Sequence, residues 1–176
     1  DHSATTPVIP EVADVVCECM TRFYGNASEP HALGVEAKQI LETSREIISN
    51  KLNTDTKQVI FTSGGTESNN IALFGASHSY SKKGKHIIST QIEHPAVILP
   101  LKSLSRRGYD ITLIPVDKSG IVNPDDIKKE VRDDTIIVSV MHANNVMGTI
   151  QPIEEIGNFL KEKEIMAIEE GLVLIS

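Results

Sequence analysis

From Gln58 onward, short apolar runs alternate with amphipathic stretches, and few folds accommodate that order. Gln58–Thr62, His86–Thr90, Ile111–Pro115 and Thr135–Met141 have the length and β-branched content of strands. Between them, Ser68–Ser79, Ala96–Arg107 and Pro124–Val131 carry helical spacing, the last with Asn123 placed to cap it and Pro124 at its first position. Asp117–Gly120 has the composition of a turn, and a last helix over Pro152–Lys163 leads into Ile165–Ile168. Strands alternating with helices predict an α/β layer fold. Two helices precede it within residues 10–52, one marked by Val12, Val15, Val16, Cys19 and Phe23, the other by Leu33, Ala37, Ile40, Leu41, Ile47, Ile48 and Leu52.

A chain of 176 residues can bury roughly 70% of its unfolded surface, so neither disulfides nor a structural metal is required. Seventeen basic against 24 acidic residues give a net charge of −7, and aromatics make up only 4% with no Trp. That balance predicts no nucleic-acid surface, which needs a basic stripe with stacking groups. Lys82, Lys83 and Lys85 read as a solvated turn. No apolar run approaches the ~20 residues of a membrane span, and Asp1–Pro10 lacks the layout of a secretion signal, so a cytoplasmic protein is expected. Cys17 and Cys19 point to different sides of a helix and are expected to form neither a disulfide nor a metal clamp. His2, His31, His94 and His142 lack ligand spacing, so no metal is expected. The apolar ending Gly171–Ser176 is either a short buried strand or an edge that another segment or chain covers.

Three segments carry candidate chemistry. Ser63-Gly64-Gly65-Thr66-Glu67-Ser68-Asn69-Asn70 lies at a strand-to-helix turn after the strand expected over Gln58–Thr62, where unpaired N–H groups and the helix dipole favour a phosphate and glycines permit close approach. Ser63, Thr66 and Ser68 offer hydroxyls; the alternative is a tight turn capped by those same hydroxyls. The segment matches neither the Walker loop nor Gly-x-Gly-x-x-Gly. Glu93-His94-Pro95 places His94 at the C-terminal edge of the sheet, to stack on a ligand, to exchange a proton, or merely to cap a helix. His142–Gly148 reaches the same edge, with Asn145 able to meet a ligand oxygen, while Asn144 and His142 can instead be turn formers.

Taken together, Asp1–Pro7, Phe23–Ser28, Phe61–Asn70, Glu93-His94 and Met141–Asn145 resemble the pyridoxal-phosphate-dependent cysteine desulfurases of the class V aminotransferase group, over Asp1 to about Lys163. The resemblance implies part of a fold-type-I large domain, a mostly parallel sheet flanked by helices, with no small C-terminal domain and a divergent tail over 164–176. It implies pyridoxal phosphate as cofactor, its phosphate at Gly65 and Thr66, His94 stacked over the ring and moving protons, and Asn145 bonded to the ring's phenolic oxygen. In the family the cofactor is an electron sink, a cysteine thiolate takes the sulfur of L-cysteine as a persulfide, and alanine leaves. Val146, Glu170 and Val173 stand where the family has Glu, Asp and Gln. No lysine or cysteine here occupies the family's Schiff-base or sulfur-accepting motif, so the chain is expected to be an N-terminal part that binds cofactor weakly and is inactive alone. Expected partners are a second copy or a complementary chain, and a sulfur acceptor or iron–sulfur scaffold. Two other readings are a non-catalytic assembly partner and a general phosphate- or nucleotide-binding domain.

Overall fold

The computed structural model describes residues 5–163 and 165–170, so the Gly171–Ser176 ending lies outside it. The chain divides after Phe61 into two compact units.

In the first unit, α1 (Pro10–Thr21) and α2 (Ala32–Leu52) are followed by a 3₁₀ turn over Thr56–Gln58. Pro10 opens α1, where its missing N–H costs nothing. His31 caps α2 by accepting the Gly34 N–H on Nδ1, and Asn53 closes it in the left-handed conformation at φ 51°. A Cβ on Gly25 would lie 2.2 Å from the Leu33 carbonyl oxygen, so glycine lets residues 25–29 press on the start of α2. The strand expected over Gln58–Thr62 does not form. Asp55 and Gln58 make a capping box that winds Thr56–Gln58, and the Arg45 guanidinium bonds the Val59 carbonyl. Among the described residues no strand pairs with this apolar run, so it has no ladder to join, and Ile60 is exposed.

The second unit begins with α3 (Gly65–Ser79) and continues β1 (His86–Thr90), α4 (Pro95–Arg106), β2 (Asp110–Ile114), α5 (Pro124–Glu130), β3 (Thr135–Met141), α6 (Ile153–Glu162) and β4 (Met166–Glu170). Asn123 caps α5 through its side-chain oxygen, as its sequence position predicts. The four strands are parallel in the order β2-β1-β3-β4. Every residue of β1 and β3 is buried, the polar His86, Ser89, Thr90, Thr135 and Ser139 included, so neither strand has an exposed face to alternate with a buried one. On one face Ile87, Ile136 and Ile137 pack with Leu73 and Ala76 of α3 and with Val97, Leu101 and Leu104 of α4. On the other, Ile88, Val138 and Val140 pack with Ile127 of α5 and with Ile156 and Leu160 of α6. Each such side chain contributes about 1.5–3 kcal/mol on burial.

The strand order fixes where a ligand can enter. The chain leaves β1 through α4 toward β2, and leaves β3 through α6 toward β4. Adjacent strands whose outgoing connections diverge leave a crevice at their C-terminal ends, and in open α/β sheets that switch point is where ligands bind. Here it lies between β1 and β3.

Candidate functional site

Three loops supply the candidate residues: the entry to α3, the β1–α4 loop and the β3–α6 loop. At the first, Gly64 adopts φ 156° and ψ 177°, a region essentially restricted to glycine. No side chain caps α3. The first intrahelical bond is the Ser68 N–H to the Gly64 carbonyl at 3.1 Å, so the N–H groups of Gly65, Thr66 and Glu67 have no acceptor within the helix. Nothing lies within 4 Å of where a Cβ on Gly65 would stand. Three main-chain donors without an acceptor in the helix, with the exposed Thr66 beside them, match a phosphate in charge and hydrogen-bonding sense.

The other hydroxyls of this loop are committed elsewhere. Ser63 gives both its N–H and its hydroxyl to the Glu67 carboxylate, at 2.6 and 2.7 Å. Those donors hold the Glu67 carboxyl below its ordinary pKa, the main-chain bond contributing most. Ser68 and Thr62 hydroxyls bond each other at 2.7 Å. Of the three hydroxyls that the sequence offers, those of Ser63 and Ser68 therefore brace the turn, and that of the exposed Thr66 is not committed to it.

His94 caps α4. Its Nδ1 accepts the Ala96 N–H at 3.1 Å, which assigns the proton of the neutral ring to Nε2. His94 and Thr66 line one cavity of about 470 Å³ with Asn70, Phe74, Leu99 and Pro100. Asn145 is exposed on the β3–α6 loop and does not line that cavity.

Asn144, which the sequence offers as a turn former, and Glu93, to which it assigns no role, organise the edge between these loops. Asn144, 6% exposed, accepts the Val146 and Met147 N–H groups on Oδ1 at 2.9 and 2.8 Å and gives Nδ2 to the Ile92 carbonyl at 3.1 Å. Glu93, 7% exposed, accepts the Thr90 hydroxyl at 2.6 Å and the Met141 N–H at 3.1 Å on Oε1. An Asn followed by N–H donors at its second and third neighbours is a turn signal legible in sequence. The Glu93 contact, across 48 residues, is not.

The family model for class-V aminotransferases matches residues 1–169. The chain belongs to the aminotransferase class-V family. Among its relatives, the cysteine desulfurase IscS of Dictyoglomus turgidum is 46% identical over 165 residues, which is 94% of this chain and 42% of that one. The mitochondrial cysteine desulfurase of Candida maltosa is also 46% identical, over 94% of this chain and 34% of its own. A solved NifS-like protein superimposes with a TM-score of 0.94 at 36% identity, covering 99% of this chain and 48% of that one. The chain thus spans less than half the length of these relatives. Class-V aminotransferases of the cysteine desulfurase group are pyridoxal-phosphate enzymes, and the open, uncapped entry to α3 suits that cofactor's phosphate. Among the described residues no helix is long and apolar enough to cross a membrane, no cluster of metal-ligating side chains occurs, and Cys17 and Cys19 are free thiols.

Proposed function

We propose that this chain forms the phosphate- and ring-holding part of a cysteine desulfurase that draws sulfur from L-cysteine for transfer to an acceptor, in iron–sulfur assembly or a related pathway. The observation that carries this reading is the uncapped α3 entry, with Thr66 and His94 on one cavity at the switch-point edge of the sheet. Gly65, Thr66 and Glu67 N–H groups would hold the phosphate, with the Thr66 hydroxyl adding a fourth donor. His94, fixed by its bond to the Ala96 N–H, would lay its ring on the cofactor and offer the Nε2 proton. Asn145 would give its amide to the phenolic oxygen. When bound, pyridoxal phosphate supplies an electron sink for the bonds of the amino acid's α-carbon.

The 176 residues contain no lysine or cysteine in the family's tethering and sulfur-accepting motifs, so by themselves they are expected to bind pyridoxal phosphate weakly and to release no sulfide from cysteine. Absorbance titration with pyridoxal phosphate, beside thermal shifts with nucleotides, tests the reading. Ligand at one hundred times its dissociation constant adds about 2.7 kcal/mol of stability. Stabilisation by pyridoxal phosphate that Thr66→Ala and His94→Ala each weaken is the expected result; preferential stabilisation by a nucleotide would overturn it.

Association with a second copy or a complementary chain, in the cytoplasm or an organelle matrix, accompanies this reading. It is favoured by α1, which has no buried residue although Val12, Val15, Val16 and Met20 are apolar. Sedimentation velocity on the purified chain should reveal an associated species that Val12→Lys and Val16→Lys together remove; a monomer at all concentrations and with added relatives would refute it.

A further inference from the structure

Building on the proposed function, we infer that Glu93 and Asn144 are positioning residues that tie the β1–α4 loop to the β3–α6 loop and thereby hold His94 and Asn145 at one fixed spacing for the cofactor ring. Each immediately precedes the residue it would position. β1 stops at Thr90, one turn before His94, whereas β3 runs on to Met141. Where β1 ends, the Met141 N–H is met by the Glu93 carboxylate at 3.1 Å, a side chain standing in for main-chain pairing. The same oxygen takes the Thr90 hydroxyl at 2.6 Å, which draws the loop back onto its own strand. Asn144 crosses in the opposite direction, from the second loop to the Ile92 carbonyl at 3.1 Å, with Nδ2 also 3.4 Å from the Met141 sulfur. Its Oδ1 meanwhile gathers Val146 and Met147 N–H groups and so shapes the turn that carries Asn145.

Both side chains are buried, so neither is there for solvation, and each makes one bond, Glu93 to the end of β3 and Asn144 to the β1–α4 loop, that spans about fifty positions of sequence. Two reciprocal crossings, one from each loop, resist shear in a way that a single bond does not. Side chains placed for ligand contact depend on such support, because small displacements of a contact group cost binding disproportionately.

The test compares Glu93→Ala, Glu93→Gln and Asn144→Asp in the full chain. Glutamine keeps an oxygen for Thr90 and Met141; aspartate keeps the oxygen for Val146 and Met147 but loses the donor to Ile92. Readouts are affinity for pyridoxal phosphate, affinity for inorganic phosphate, exchange of the Met141 amide hydrogen, and the His94 imidazole resonances by NMR. The expected result for Glu93→Ala and Asn144→Asp is about tenfold weaker pyridoxal phosphate binding, the size of one net hydrogen bond, with phosphate binding unchanged. Met141 exchange should quicken at least tenfold in Glu93→Ala, and Glu93→Gln should restore both properties. Pyridoxal phosphate binding at the original affinity in folded Asn144→Asp, or no rescue by glutamine, would overturn the inference. Should the unaltered chain bind no pyridoxal phosphate, the functional reading fails by itself. The tie is then judged on His94: resonances that move in Asn144→Asp uphold it, and unmoved resonances overturn it.

Discussion

Gly64 and Gly65 are neighbours with separate tasks, and substitution separates them. Alanine at Gly64 meets no neighbour but must adopt φ 156° and ψ 177°, so Gly64→Ala is expected to destabilise the fold by about 1–3 kcal/mol in urea unfolding. Alanine at Gly65 is helical and equally unobstructed, so Gly65→Ala should leave the unfolding midpoint unchanged or higher while weakening pyridoxal phosphate and inorganic phosphate alike in titrations. The turn into α3 was legible because glycines beside hydroxyls are common at a helix start, while the choice between a phosphate site and a hydroxyl-capped turn rests on these titrations. Which hydroxyl stays uncommitted was not legible, since it depends on Ser63 reaching Glu67 and Ser68 reaching Thr62. Similarly, His94 both caps a helix and lines a cavity, two roles that the sequence presents as alternatives.

At the scale of elements, β1 and β3 were legible from their β-branched centres, Ile87-Ile88 and Ile136–Val138, although polar residues, themselves buried, open both strands. α3 starts at Gly65 rather than Ser68, its first turn hidden because Gly65 and Thr66 are poor helix formers. Gln58–Thr62 misleads for the opposite reason. Val59, Ile60 and Phe61 have strand composition, but a strand is made by its partner, and the Asp55 and Gln58 capping pair was the overlooked signal of a turn. Helix α3 is anchored to the sheet through Leu73, which is fully buried against the β1 and β3 core. Leu73→Ala should cost about 2–5 kcal/mol by urea denaturation, whereas alanine at the exposed Leu99 of α4 should change stability by less than about 0.5 kcal/mol.

For the whole molecule, stability against pH should fall in two stages on acidification. His86 is fully buried, with Nδ1 2.7 Å from the Thr135 hydroxyl and Nε2 2.9 Å from that of Thr112, and so joins β1 to both its neighbours. Burial first, and then the Arg132 charge, lower its pKa below 6.5, against the weaker opposing pull of Asp110, Asp134 and Glu130. A histidine with a depressed native pKa binds fewer protons folded than unfolded, so its contribution is complete above 6.5 and is lost as pH falls from there through the native value. Glu67, Asp110 and Asp117 are likewise depressed, from 4.5, 3.8 and 3.8, and their contribution is lost lower on the scale. Urea unfolding between pH 7.5 and 5.5 should show the first stage, and His86→Gln should flatten it; an unaltered slope would exclude His86 as its source. Finally, residues 5–61 have only Gly34 and Ser49 buried, while every buried apolar side chain among the described residues belongs to the second unit. A 12-residue helix such as α1 is marginal in water on its own propensity. The polypeptide therefore keeps two clocks: in deuterated buffer the amides of Pro10–Leu52 should label early, and those of β1 and β3 only on the timescale of global opening.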